Sequence, residues 1–307
     1  MAFWLFGALS AAEYGWPEPP EPYPSWIQIC DNVFNDYIER WNAANETCGG
    51  GLKWQIFPSS RGYTYKNSVS NGGFFQVAAR LWRFTGNTTY YEWAEKVWDW
   101  TVALGFIDED YSVYDGAGEG SNCTRELHLF AALLCHADQC IVLDRNQWSY
   151  NAALYLMGAS VLTNVTTALT QSLDPSADNS THGQPWLNRT LGLLSHAETE
   201  FFSPFENATG VMYEPVCSPD WSCNVDQVSF KAYLSRWMAQ TSILVPQTAP
   251  RIRSLLETSA TAAARQCANL FGDIKCGTRW YMDVWDGTEG VGQALSAMEV
   301  MYSLLVR

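Results

Sequence analysis

The chain has 307 residues, of which 47% are hydrophobic and 14% aromatic, with 15 Trp and a formal net charge of −14. An acidic chain without a run of Lys or Arg lacks the basic stripe that neutralises phosphates, so nucleic-acid binding is excluded. No apolar stretch reads as the ~18 or more residues of a membrane span. The nine Cys and four His show no spacing suited to zinc.

Taken in chain order, the pattern is helical almost throughout. Residues 1–12 are apolar and end in small residues, but they lack a basic start and are short for a signal peptide. They read as part of a helix over 1–14, followed by a second over 25–44. A third spans 68–86, where Phe74 to Phe84 is apolar nearly all round and therefore buried. The fourth, 88–104, opens on the capping box Thr89-Tyr-Tyr-Glu92, repeats Tyr90, Trp93, Ala94, Val97, Trp100, Thr101 and Leu104 at helical spacing, and stops at Gly105. Further helices read at 147–164, 186–203, 224–242, 248–271 and 288–305. Only Trp54–Phe57 and Val211–Glu214 suggest short extended pieces, so the class is all-α.

Every second helix has an unusual start. Asn67-Ser-Val-Ser-Asn-Gly-Gly73 opens one, Asn146-Gln-Trp-Ser-Tyr-Asn151 the next of the series, then Asn224-Val-Asp-Gln227, and last Asp286-Gly-Thr-Glu-Gly290. A cap accounts for one polar residue per helix, not for a run of them. In a barrel of alternating inner and outer helices, the inner ones bring their N-termini to one rim. Free N–H groups there favour oxygen-rich ligands.

Asn-X-Ser/Thr sequons begin at Asn45, Asn87, Asn122, Asn164, Asn179, Asn188 and Asn207. Such acceptors and abundant Cys point to a secreted chain. Cys217/Cys223 and Cys267/Cys276 are close pairs in turn-rich segments, and Cys48 and Cys123 sit in Gly/Asn loops where they can pair. Cys30, Cys135 and Cys140 remain, and the odd count leaves at least one thiol outside an intrachain bridge.

The same segments resemble glycoside hydrolase family 76, the α-1,6-mannanase family, in its fungal cell-wall form. The matching stretches include Cys48-Gly-Gly-Gly-Leu-Lys-Trp-Gln55, Tyr65-Lys-Asn-Ser-Val-Ser-Asn71, Trp93-Ala-Glu-Lys-Val-Trp-Asp-Trp100, Val113-Tyr-Asp-Gly-Ala117, Asn146-Gln-Trp-Ser-Tyr-Asn151 and Gly292-Gln-Ala-Leu-Ser-Ala-Met-Glu299. They run in order over nearly the whole chain. The resemblance implies a single (α/α)6 barrel domain over 1–307, with about nine of its twelve helices present and the first ones missing. The family's adjacent Asp-Asp pair is then expected just upstream of Met1, with Ala2-Phe-Trp4 and Ala8-Leu-Ser-Ala-Ala-Glu13 as its continuation. Retaining glycoside cleavage needs two carboxylates about 5–5.5 Å apart, so no catalytic residue is expected within the chain. Residues 125–145, with Cys135 and Cys140, interrupt the match as an atypical insert, either an extra rim helix or translated intron.

The resemblance and the helix starts together point to substrate binding by Asp115, Trp148, Gln147 and Asn151, with Asn71, Trp54, Asp226 and Gln227 behind them. An indole stacks on the C–H face of a sugar while amides and carboxylates take paired hydroxyls. Asp283 and Asp286 are further cleft candidates, and Asp108-Glu-Asp110 reads as a solvated turn. The implied partner is an α-mannan oligosaccharide or a mannosylated glycolipid anchor; no metal or organic cofactor is implied. The expected activity is mannan endo-1,6-α-mannosidase-like hydrolysis or transglycosylation in the cell wall or outside the cell. The competing readings are a catalytically inactive carbohydrate-binding barrel and an isoprenoid cyclase, which the polar amides at the helix starts oppose.

Overall fold

The computed structural model describes residues 2–45, 47–119, 143–173, 184–270 and 273–306. Among them are nine α-helices: α1 Ala2–Glu13, α2 Trp26–Ala43, α3 Ser68–Thr85, α4 Thr88–Ala103, α5 Ser149–Leu173, α6 Gln184–Phe201, α7 Phe230–Leu244, α8 Ala249–Arg265 and α9 Val291–Tyr302. Strands are short: β1 Tyr65–Asn67, β2 Tyr114–Gly118 and β3 Leu143–Gln147 in one sheet of that order, and a hairpin of β4 Cys267–Leu270 and β5 Asp273–Cys276. The chain divides into two compact units, Met1–Glu109 with Val113–Asn146, and Asp110–Ser112 with Gln147–Arg307.

In the first unit α3 is the buried element, enclosed from Asn71 to Trp82. Helix α2 starts at a full capping box, in which Ser25 and Gln28 exchange side-chain and backbone hydrogen bonds. It buries Cys30, Phe34, Tyr37 and Trp41 at three- and four-residue spacing. Phe34, Tyr37 and Trp41 pack their rings on Phe74 of α3, and Trp41 also meets Trp93 and Trp100 of α4. Gly50 and Gly51 make this cluster possible. A Cβ on Gly50 would lie 2.3 Å from the Trp41 indole nitrogen, and one on Gly51 2.1 Å from the Trp100 ring. Both have positive φ, which glycine alone adopts at no steric cost. Helix α1 packs on α2 and α3, burying Ala2, Leu5, Phe6 and Leu9, and Arg80 clamps its end by pairing with both oxygens of Glu13 at 3.0 and 2.8 Å.

Two local expectations are corrected here. The cap of α4 is Asn87, whose side chain accepts from the Thr89 N–H, not the box at Thr89. An Asn two residues earlier offers its oxygen to the same first turn, so the helix begins before Thr89. Trp54–Phe57 is no strand; only Lys53 bridges to Lys66, and the strand lies at Tyr65–Asn67. A three-residue strand is too short to show a period of two.

In the second unit the alternation of helix roles is visible in the packing. Helix α5 packs on α7 and α7 on α9, while α6 covers α5, and α8 covers α7 and α9. Hydroxyls tie the seams: Ser160 to Thr241 at 2.8 Å and Thr163 to Thr190 at 3.0 Å. By length and composition α5 can span a membrane, contrary to the reading that no stretch approaches one. Two thirds of its most apolar 18-residue window is nevertheless buried within the fold.

Other boundaries moved for identifiable reasons. Asn224 Oδ1 accepts from both Asp226 N and Gln227 N, folding that segment into a turn, so α7 begins only at Phe230. Asp286 takes the Thr288 N–H and hydroxyl, which delays α9 to Val291. Helix α8 ends at Arg265 because the hairpin closed by the Cys267–Cys276 disulfide follows at once. A second disulfide joins Cys217 to Cys223. Cys48 is also disulfide-bonded and Cys30 is free, while Cys123, Cys135 and Cys140 lie outside the described residues. Most of the 125–145 insert does too; its last residues belong to β3.

Candidate functional site

In the first unit the polar group at the start of α3 is built on β1 and β2. The strands pair antiparallel, Asn67 opposite Gly116, and a Cβ on Gly116 would sit 2.3 Å from the Lys66 carbonyl oxygen. That close approach sets Asp115 at the strand surface, where its half-buried carboxylate accepts from the Tyr65 hydroxyl at 2.9 Å. Trp54 stands edge-on to Tyr65 at 6.4 Å, is 49% exposed, and covers Gly62, where a Cβ would meet the indole at 2.5 Å. An oriented carboxylate beside an exposed indole is the chemistry that holds a sugar: hydroxyls to the one, C–H face to the other.

Beneath this surface Lys66 is fully buried. Its ammonium donates to the carbonyls of Ala44, Thr47 and Gly50 at 3.1, 2.7 and 2.6 Å and lies 3.6 Å from Glu119. Burial pulls its pKa down to about 8, against the opposing pull of Glu119. Burial by itself raises the Glu119 carboxyl, but hydrogen bonds from Lys53 at 2.8 Å and Thr47 at 2.6 Å hold it below the usual range. Asn71 is fully buried, its amide spent on both backbone groups of Leu52 and on the Asn67 carbonyl.

In the second unit the start of α5 is anchored by Glu214. Its fully buried carboxylate accepts from the backbone N–H of Ser149 at 3.2 Å and from the Ser149 hydroxyl. Burial raises its pKa to about 7, against the pull of Ser149 and of Lys231. Lys231, also fully buried, donates to the Thr278 carbonyl and hydroxyl at 2.7 and 2.9 Å and faces the Trp280 ring at 4.7 Å. Asp286 accepts from the N–H groups of Thr278, Arg279 and Thr288. Those bonds and the Arg279 guanidinium outweigh burial and keep its carboxyl low. Above it Arg279 lies under the exposed indole of Trp221, 3.1 Å from the ring centre.

The expected binding residues are thus distributed unevenly. Trp54 and Asp226 are exposed and Asp115 half-buried, whereas Trp148 is 9% exposed with its ring against Phe230, and Asn151 is wholly enclosed. Gln147 is paired with His196 at 2.7 Å, and Gln227 accepts from the Asn224 N–H. Asp283 is exposed, and Asp108 accepts from the Tyr114 hydroxyl. Sequence reasoning missed Tyr65, Lys66, Glu119, Glu214 and Lys231. The two lysines carried a signal: each is the lone cation among apolar or capping residues at the start of an alternate helix. Among the described residues no group of three or more His, Cys, Asp or Glu is arranged to hold a metal. A cavity of about 350 Å³ in the second unit is lined by Ile243, Pro246, Ile252, Leu256, Leu304 and Val306, between the C-terminal end of α7 and the start of α8, and includes none of the expected binding residues.

Known proteins share this fold. Dfg5 from Chaetomium thermophilum, solved in complex with glucosamine, matches with a TM-score of 0.82 at 37% identity, covering 99% of this chain and 67% of that one. An inactive double-aspartate variant of an α-1,6-mannanase from Salegentibacter, solved with α-1,6-mannotetrose, has a TM-score of 0.67 at 16% identity, covering 100% and 75%. The mannan endo-1,6-alpha-mannosidase DCW1 of Candida albicans is 41% identical over 99% of this chain and 60% of its own length. A putative mannan endo-1,6-alpha-mannosidase of Schizosaccharomyces pombe is 39% identical over 99% and 61%. The chain spans about three fifths of the length of these curated relatives. The sequence profile of Glycosyl hydrolase family 76 matches residues 1–307. With the family profile matched over its whole length and a fold like that of Dfg5, the chain belongs to glycosyl hydrolase family 76.

Proposed function

We propose that the protein acts on α-1,6-linked mannan in fungal cell-wall biogenesis, as an endo-1,6-α-mannosidase-like glycoside hydrolase or as a transglycosidase. The observation that carries this reading is the 41% identity, over 99% of the chain, to a protein named mannan endo-1,6-alpha-mannosidase. The surface of Asp115, Tyr65 and Trp54 supports it, since a phenol-braced carboxylate and an exposed indole suit a pyranose. In the second unit Trp148 and Asn151 shape the start of α5 from within, and Gln147, Asp226 and Gln227 supply polar groups nearer the surface. The glycan is an α-mannan oligosaccharide or the mannose part of a glycolipid anchor. Disulfides support an extracellular or cell-wall setting.

The test is release of new reducing ends from α-1,6-mannan, run beside transfer to a labelled glucan acceptor. Turnover confined to α-1,6 linkages supports the proposal; turnover indifferent to linkage, or neither binding nor turnover, sinks it. A second reading, a carbohydrate-binding domain without turnover, is favoured by one observation. The buried carboxylates Glu119, Glu214 and Asp286 are each committed to lysines, hydroxyls or backbone N–H groups. Saturable binding without new ends would select it.

A further inference from the structure

Seven sequons run through the chain, and the fold treats them differently. N-linked glycosylation forms a bond between the Asn side-chain nitrogen and the anomeric carbon of an oligosaccharide. The bond from that carbon to the pyrophosphate of a polyisoprenyl carrier breaks, the carrier pyrophosphate leaves, and the amide gives up one proton. The side-chain oxygen is untouched and still accepts hydrogen bonds. A folded protein therefore carries a glycan only where the amide nitrogen, whatever the oxygen does, reaches solvent.

Asn87 shows the compatible case. It is exposed at the N-cap of α4 and uses only its oxygen, which accepts from the Thr89 N–H at 3.0 Å. Asn188 is exposed on α6, between the buried Trp186 and Thr190 that turn the other face inward. Asn207 is exposed in the turn Glu206–Ala208, and Asn45 is exposed just past the end of α2. Asn164 is the opposite case. Half-buried in α5, it donates from its nitrogen to the Leu244 carbonyl at 3.1 Å. Leu244 ends α7, and its carbonyl is one of those the helix itself leaves unpaired. The one N–H that a glycosylated amide keeps could still meet that carbonyl, but the sugar replacing the other would be anchored on a half-buried nitrogen held against the end of α7.

We propose that Asn45, Asn87, Asn188 and Asn207 carry N-linked glycans and that Asn164 does not, because the first four side chains are exposed and the fifth spends its amide nitrogen between helices. Asn122 and Asn179 lie outside the described residues. The inference rests on the extracellular setting proposed above and is independent of the mannan activity.

The experiment expresses the chain behind a cleavable secretion leader in a glycosylating eukaryotic host, so entry into the pathway does not depend on the chain's own targeting. The secreted fraction, with Cys217–Cys223 intact by peptide mapping, is deglycosylated enzymatically in ¹⁸O water, which marks each occupied Asn as labelled Asp. Label at Asn45, Asn87, Asn188 and Asn207 and none at Asn164 is expected. Label at Asn164 in that fraction, or an unlabelled site among the four, overturns the assignment. Asn87→Asp keeps an oxygen on the Thr89 N–H and is expected to remove one glycan with secretion unchanged. Asn164→Gln is expected to leave the glycan count unchanged, and loss of a glycan there contradicts the proposal.

Discussion

The two units bury the same pair of residue types beneath an alternate helix start and obtain opposite results. In the first, Lys66 sits in a cage of three carbonyls and its carboxylate neighbour, Glu119, is also held by Lys53 and Thr47. In the second, Lys231 is spent on Thr278 and Trp280, and Glu214 receives only the hydroxyl and N–H of Ser149. Glu119 is consequently pulled below its ordinary pKa and Glu214 pushed above it. Whether a buried carboxylate stays charged is decided by the donors that reach it, since desolvation opposes charge in both places. The first unit thereby keeps a firmly ionised base under an accessible surface, and the second keeps a sealed acid that serves packing.

The largest expected break in this comparison is Lys66→Met. It strands three carbonyls and leaves Glu119 with one cation fewer, at a cost of about 3–5 kcal/mol, read as a lower denaturant midpoint. Glu214→Gln is expected to cost less, about 1–2 kcal/mol, because a neutral amide still accepts from Ser149. If the two variants cost the same, the contrast between caged and sealed sites fails.

The pH dependence follows with opposite signs. Glu214 has a folded pKa near 7 against 4.5 unfolded, so the folded state holds a proton the unfolded state has lost. Stability therefore falls as pH rises through that window, a loss of up to about 3 kcal/mol. The Glu119 contribution runs the other way, present above the ordinary pKa of 4.5 and lost as pH falls below it. Melting temperatures are expected to be higher near pH 5 than at pH 7, and Glu214→Gln to flatten that slope. An unchanged slope in the variant assigns it to another group. The smallest effect on stability is expected from Trp54→Ala, whose half-exposed indole leaves the fold nearly as stable. It is expected to weaken α-1,6-mannan oligosaccharide binding about tenfold, the order of one good aromatic contact, by calorimetric titration.

How much of this could be read from sequence depends on length scale. Helix periodicity persists over many residues, so all nine helices were legible, but not all of their ends: α5 runs on to Leu173, well past the expected 164, α7 starts later than expected and α8 ends earlier; the parity of their starts appears as α5–α7–α9 packing. What sequence could not reveal were decisions taken by single side chains. Asn87 rather than Thr89 caps α4, Asn224 folds what looked like helix into a turn, and Asp286 delays α9. The binding residues suffered the same limit. Trp148 and Trp54 are both tryptophans beside polar residues, and only tertiary packing seals one against Phe230 and leaves the other half in solvent. Lys66 and Glu119 lie 53 positions apart in sequence, and no local pattern links them.

The central claim is that the Asp115–Tyr65–Trp54 surface holds α-1,6-linked mannose units. The direct measurement is a calorimetric titration of α-1,6-mannotetraose into the unaltered chain and into Asp115→Asn, with an α-1,2-linked oligomer as control. Saturable binding of the α-1,6 oligomer alone, weakened at least tenfold in Asp115→Asn while the melting temperature holds, is the predicted result. Equal binding of both linkages, or binding of the α-1,6 oligomer untouched by the Asp115 substitution, would contradict it.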